Sequence, residues 1–219
     1  MPRWRVPRLF GESGISVSEE QISKLKMFHV ELLKFNQKLN LISHSSAENA
    51  DILHIWDGVL AAINGRSWFL DKQHIYDLGS GNGIPGVICS ILNLDTQWSS
   101  VDTDERKTAF LRHIRHTLHL HNFTVATADI RDFNFEYSNF ISRGLSSFSG
   151  HAELLDQNQS LEGKKIEVCC LKGPGADKEN DELKKKKGST WNTKPLNQYA
   201  FHLNNAEIQH NLILLMRYS

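Results

Sequence analysis

Apolar positions recur along this chain at two different periods, and the change comes near residue 74. Upstream, Ile22, Leu25, Phe28, Leu32, Phe35 and Leu39 follow a three- and four-residue spacing, which marks one stripe of an α-helix. Ser18 followed by Gln21 gives that helix a capping-box start, in which hydroxyl and amide each satisfy a first-turn backbone N–H. Ile52, Ile55, Trp56, Val59, Leu60 and Ile63 form a second stripe and predict a helix from Asp51 to Ile63. His54 and Asp57 lie three apart and off that stripe, so they share a face. That face can look into a cleft; spacing alone leaves a plain surface pair equally open.

From His74 onward short apolar runs alternate with helical stretches. His74 to Leu78, Trp98 to Val101, Phe123 to Ala128, Phe140 to Ser142 and Ile166 to Leu171 read as strands, and Ile84 to Leu92 and Lys107 to Leu120 as helices. Such alternation predicts a parallel sheet covered by helices, with right-handed crossovers. Lys172 to Gly188 is polar and reads as a loop plus a charged helix. Gln198 to Leu203 and Leu212 to Arg217 then read as strands around a polar turn at Asn204 and Asn205. Strands so close in sequence pair antiparallel, because a parallel crossover needs about a dozen residues. The expected architecture is therefore α/β: a helical extension over 1–70, then one core over 71–219 whose mostly parallel sheet ends in an antiparallel hairpin.

Composition narrows this picture only modestly. The 219 residues are 40% hydrophobic, enough for one sizeable core. Basic and acidic residues balance at 25 each, so any nucleic-acid surface must be local. Candidates are Arg3, Arg5 and Arg8; Arg106, Lys107, Arg112 and Arg115; and Lys184 to Lys187. Taken singly, each cluster reads more readily as a solvated face. Cys89, Cys169 and Cys170 sit in apolar runs and read as buried reduced thiols, consistent with a cytoplasmic setting and with no metal site. No apolar run reaches the ~18 to 20 residues that span a bilayer, and the start lacks the apolar core of a secretory signal.

The chemistry concentrates at Asp77-Leu78-Gly79-Ser80-Gly81-Asn82-Gly83-Ile84-Pro85-Gly86. A strand ends, glycines permit positive φ and close ligand approach, and a helix opens near a proline. Ligands of open α/β sheets bind outside the carboxyl ends of strands, where this turn lies. Asp102, ending the next strand, can accept hydrogen bonds from ribose hydroxyls. These features fit a dinucleotide as well as a nucleoside-based methyl donor. Asp77 discriminates: a carboxylate two residues before the first glycine repels a pyrophosphate and attracts the sulfonium and ammonium of S-adenosylmethionine.

Asp77 to Gly86 resembles the glycine turn of the RsmG (GidB) family of 16S rRNA guanine-N7 methyltransferases, and the resemblance runs over most of the chain. Phe35-Asn36-Gln37-Lys38-Leu39-Asn40-Leu41-Ile42-Ser43 is similar to the family's Trp-Asn-x-x-x-Asn-Leu-Thr segment. His54-Ile55-Trp56-Asp57 is similar to its His-x-x-Asp-Ser element. Val101-Asp102-Thr103-Asp104-Glu105-Arg106-Lys107 with Phe110-Leu111, Ile141-Ser142-Arg143-Gly144 and Leu171-Lys172-Gly173 resemble further elements in the same order. The resemblance implies a Rossmann-like class I methyltransferase fold and S-adenosylmethionine as cofactor. It implies cofactor contacts at Gly79, Ile84, Ile130, Arg131 and Arg143, beside the turn's own Asp77, Gly81 and Gly83 and the ribose partner Asp102. Departures fall at Asp129 and Arg131, where the family has arginine and glutamate, at Gly58 in place of serine, and at Phe35 in place of tryptophan.

By the same resemblance the substrate is one guanine of 16S rRNA, naked or in the small ribosomal subunit; nothing in the sequence itself demands an oligomer or a membrane, so a monomer without membrane association is expected. Guanine N7 is an exposed lone pair that loses no proton on methylation, so direct displacement needs alignment and no general base. Arg143 and Lys172 are then expected at the base-facing edge, and His54 and Asp57 at the mouth. Two other readings stay open: a catalytically weak or inactive RNA-binding or ribosome-assembly homologue, and an NAD-dependent oxidoreductase.

Overall fold

The computed structural model describes residues 3–93, 95–186 and 189–218, so Lys187 of the lysine run lies outside the described residues. α1 (Val6–Ser13) precedes α2 (Glu19–Leu39), which begins on the expected capping box. Gln21 N–H donates to Ser18 Oγ at 3.1 Å and Ser18 N–H donates to Gln21 Oε1 at 2.9 Å. After α3 (His44–Ala47) the second apolar stripe is not a uniform helix. A π-helical segment, Asp51–Trp56, runs into α4 (Asp57–Asn64), followed by α5 (Arg66–Phe69). Apolar spacing does not report this widened turn, because Ile52, Ile55 and Trp56 are buried in either geometry.

The sheet contains β1 (His74–Leu78), β2 (Gln97–Asp102), β3 (Phe123–Thr127), β4 (Asn139–Arg143), β5 (Ile166–Lys172), β6 (Trp191–Leu203) and β7 (Ala206–Arg217) in the spatial order β3-β2-β1-β4-β5-β7-β6. The first five strands are parallel and the last two antiparallel, as expected. Helices α6 (Gly86–Leu92), α7 (Glu105–Thr117), α8 (Phe148–Asp156) and α9 (Ala176–Lys185) and a 3-10 turn, Gln159–Leu161, complete the connections. α8 was not expected from the sequence, although Ser147 caps it and Phe148, Ala152 and Leu155 repeat at helical spacing.

Side chains alternate between two apolar layers. Ile75, Trp98, Phe123, Ile141 and Cys169 meet α2, the π-helical segment, α4, α6 and α7. Tyr76, Val101, Phe140, Val168 and Cys170 meet α8 and α9. All three cysteines are buried free thiols, and burial pushes Cys170 up to about 12. No helix among the described residues is long and apolar enough to cross a membrane.

The hairpin is longer than its apolar pattern implies: β6 starts at Trp191 and β7 at Ala206. Pairing with β5 ends at Lys172 opposite Asn211, so residues 206–210 and their partners in β6 run on past the sheet. They fold over the N-terminal helices. Tyr199 and Phe201 join that apolar layer, and Asn197 Nδ2 donates to Asn64 Oδ1 at 3.0 Å.

Candidate active site

The strand order reverses at β1, with β2 on one side and β4 on the other. Crevices in open α/β sheets form at such points. A cavity of about 370 Å³ lies there, lined by Gly79, Gly81, Asp102, Lys107, Asp129 and Ile130 among others. Gly79, Gly81 and Gly83 all have positive φ, at 62°, 51° and 84°. A side chain at Gly83 would strike Leu111 and Val87, so this glycine serves the packing of the turn on α7 and α6. Gly81 N–H donates to Asp102 Oδ2 at 2.8 Å and Asp104 N–H to Oδ1 at 2.9 Å. Asp102 thus ties the turn to the end of β2 and keeps carboxylate lone pairs for a ligand.

The other residues singled out around the turn have different surroundings. Asp77 is 2% exposed and lies beneath the turn, where Gly86 N–H donates to its Oδ2 at 3.1 Å. It therefore occupies the first N–H of α6, a place a pyrophosphate would need. Burial pushes the Asp77 carboxyl up to about 7, and neighbouring Asp102 adds to the rise. Ile84 is buried at the turn's end. Arg131 folds back on Asp129, Nε to Oδ1 at 2.9 Å and Nη2 to Oδ2 at 2.5 Å. Asp129 and Ile130 face the cavity; Arg131 is not among its lining residues. The Asp129–Arg131 departure thus keeps a carboxylate on the cavity wall with the charges exchanged.

Titration provides a signed test of Asp77. Its ordinary value is 3.8 and its folded value about 7. Below about pH 4 both folded and unfolded chains hold the proton. Between these values only the folded chain does, so stability falls as pH rises, by up to roughly 4 kcal/mol from this one group. Asp77→Asn is expected to flatten that fall, measured as urea midpoints at pH 5 and pH 8. Parallel pH curves for the two proteins contradict the assignment.

Arg143, His54 and Asp57 are brought together from the end of β4, the π-helical segment and the first residue of α4. Arg143 Nη1 donates to Asp57 Oδ2 at 2.9 Å and Nη2 to His54 Nδ1 at 3.1 Å. Asp57 is fully buried. Burial, with the Arg143 charge beside it, pushes His54 down to about 4. Its neutral ring therefore accepts at Nδ1, leaving Nε2–H to meet Ser46 Oγ at 2.9 Å. Two residues that the sequence reading missed complete the cluster. Tyr199 Oη donates to Asp57 Oδ1 at 2.9 Å, and His210 Nδ1 meets the same oxygen at 2.6 Å. Tyr199 and His210 are cross-strand partners; counting outward from the turn at Asn204 and Asn205 pairs them, once both strands are extended.

Lys172 stands apart from this cluster. Its Nζ donates to the Ser146 carbonyl at 2.6 Å and to Glu179 Oε2 at 2.8 Å, and lies over the Phe148 ring. The loop after β4 is the joint of the site. Arg143 points to Asp57, Gly144 and Leu145 line the cavity, and Ser146 is held by Lys172. Gly58 lets α4 approach α6, since a side chain there would overlap Ile88.

The family model described as GidB, rRNA small subunit methyltransferase G, matches residues 21–213. The chain belongs to this family. With the GidB family comes its methyl donor, S-adenosylmethionine. A relative from Bdellovibrio bacteriovorus, "Ribosomal RNA small subunit methyltransferase G 3", is 40% identical over 149 residues, 67% of this chain and 65% of that protein. The match thus spans slightly less than two thirds of that relative's length. One from Polynucleobacter asymbioticus, "Ribosomal RNA small subunit methyltransferase G", is 27% identical across 92% of this chain and 90% of its own. A solved structure, a putative O-methyltransferase from Klebsiella pneumoniae, superposes with TM-score 0.55 at 11% identity, covering 99% of this chain and 97% of that one. This GidB-family chain thus has the α/β fold of class I methyltransferases.

Proposed function

We propose that this GidB-family chain methylates N7 of one guanine in small-subunit rRNA, as a cytoplasmic monomer, with S-adenosylmethionine as donor. The observation that carries the cofactor side is the cavity at the reversal of strand order, with Asp102 at its rim and Asp77 closing α6 below. Its volume of about 370 Å³ suits a nucleoside-sized ligand. Val101, Ile130, Leu145 and Leu154 offer apolar walls to adenine, and Asp102 offers acceptors to ribose hydroxyls. The bound donor supplies an electrophilic methyl group. Gly79 and Gly81 allow backbone approach to it, and Asp77 lies beneath on the same turn.

On the acceptor side, only two of Arg143's five guanidinium N–H groups have partners among the described residues. The others are donors suited to guanine O6, leaving N7 free. No proton must leave N7, so the site's task is alignment, which can supply several kcal/mol, up to roughly 7 to 11. Lys172 serves by holding the Gly144–Ser147 loop against α9.

Ion pairing sorts the basic clusters. Arg3, Arg5 and Arg8 are matched by Glu48, Asp51 and Glu12, Arg106 by Asp104, and Lys186 by Glu153, whereas Lys184 and Lys185 at the end of α9 have no acidic partner among the described residues and do not line the cavity. Lys107, Arg112 and Arg115 on α7 have no acidic partner among the described residues, and Lys107 lines the cavity. This face is the one to which we assign phosphate contacts. Reversing Arg112 and Arg115 to glutamate is expected to weaken rRNA binding more than about tenfold and to lower the slope of log affinity against log salt by about 2. An unchanged slope in filter-binding titrations removes α7 from the docking face.

The deciding experiment is labelled methyl transfer to small ribosomal subunits from a strain lacking this protein, with mapping of the product. One labelled guanine, blocked at N7, is expected. Folded protein that binds the donor yet labels nothing favours a binding or assembly homologue; calorimetric binding of NAD in place of S-adenosylmethionine favours the oxidoreductase.

A further inference from the structure

The hairpin carries a part of the site that lies outside the glycine turn and the β4 loop. Asp57 is a fully buried carboxylate reached from three elements: Arg143 at the end of β4, Tyr199 on β6 and His210 on β7. The two oxygens are divided between them. Oδ2 takes Arg143, and Oδ1 takes both hairpin donors. A carboxylate that can swing about its Cβ–Cγ bond places its second oxygen only as well as its first is held. Two donors at 2.9 and 2.6 Å on Oδ1 remove that freedom. Arg143 is then fixed at two points, Asp57 and the neutral His54.

Building on the methyl-transfer reading, the geometry assigns His210 and Tyr199 as positioning residues that act on the acceptor base through Asp57 and Arg143. His210 is the first β7 residue past the end of β5, and its side chain is 26% exposed. Its ring is packed edge-on against Tyr199 and Phe201. The charged or titratable groups in its cluster are Asp57, Arg143, His54 and Tyr199. Its Nδ1 shares with Arg143 the one carboxylate of Asp57, on the opposite oxygen. The orientation of Arg143 is thereby coupled to a ring at the edge of the cleft.

The test compares His210→Ala, His210→Asn, Tyr199→Phe, Arg143→Ala and the Arg143→Ala/His210→Ala double variant as full-length protein. Expected for His210→Ala is at least a tenfold fall in kcat for methyl transfer to small subunits, with donor affinity within twofold. The amide donor of His210→Asn is expected to recover most of the rate, and Tyr199→Phe to lose a few-fold. The double variant should be no slower than Arg143→Ala. Additive losses, or equal rates in His210→Ala and wild type, overturn the assignment. A readout independent of turnover is nitrogen-edited NMR of the Arg143 guanidinium. Slowly rotating Nη signals should be present in wild type and His210→Asn and lost in His210→Ala. If wild type transfers no methyl group yet shows this NMR pattern, the substrate reading fails and the positioning assignment stands; loss of the pattern's dependence on His210 defeats the assignment alone.

Discussion

An Asp57→Ala protein is expected to be destabilised by about 3 kcal/mol and to lose methyl transfer at least 100-fold. The cause is the set of groups left behind. Removing one partner of a buried ion pair costs ~3 to 5 kcal/mol, because the remaining charge stays desolvated. Arg143 keeps 23% side-chain exposure, which lets water in and favours the lower figure. Tyr199 and His210 also lose their acceptor. For a chain of this size the stability change corresponds to a fall in Tm of roughly 6 to 12 °C. The activity loss should exceed what unfolding explains, since at 20 °C the variant remains largely folded while Arg143 is no longer aimed. Differential scanning calorimetry and single-turnover transfer at 20 °C check the two parts separately. A variant with wild-type transfer rates removes Asp57 from the site altogether.

Asp102→Ala is expected to act on the donor and hardly on the chemical step. Hydrogen bonds to a charged acceptor contribute ~1.5 to 3 kcal/mol each. Losing the ribose contact should raise the Kd for S-adenosylmethionine by about 10- to 150-fold, measured by calorimetry. The same carboxylate also fastens Gly81 and Asp104, so Asp102→Asn is not a gentle control. Its amide nitrogen would oppose one of those N–H donors, and a comparable loss is expected. At saturating donor, single-turnover rates of Asp102→Ala should approach wild type. Unaltered affinity sinks the ribose assignment.

The contrast between these two positions shows what a sequence carries openly. β1 runs from His74 to Leu78 as its apolar run predicts, and Asp102 was legible because strand, turn and acid follow one another locally. The Asp57 cluster was half legible. His54 and Asp57 share a face by spacing, and Arg143 ends a recognisable strand. Tyr199 lies in an expected strand, but its partner Asp57 is 142 positions away and leaves no local signal; His210 falls outside the expected strands because the distal hairpin is covered on one face only. Its polar run through Glu207, Gln209, His210 and Asn211 therefore lacks the apolar density of a central strand. The π-helical segment had no local signal at all. The basic residues were visible as clusters, but which were neutralised depended on acids brought close by folding, such as Asp51 beneath Arg5.

The reach of the hairpin beyond β5 has a consequence for synthesis. Asp57 and Asn64 are made early, whereas their partners Asn197, Tyr199 and His210 come more than 130 positions later. Helices α2 and α4 can form as the chain emerges, yet one wall of their apolar layer is supplied only by β6 and β7. Contacts of such sequence separation close late and slowly. Assembly of the Arg143 clamp is thus tied to completion of the hairpin. Chains arrested before residue 191 would carry the glycine turn without it, and would leave uncovered the part of the N-terminal apolar layer that Tyr199 and Phe201 complete, an adhesive surface for chaperones to cover.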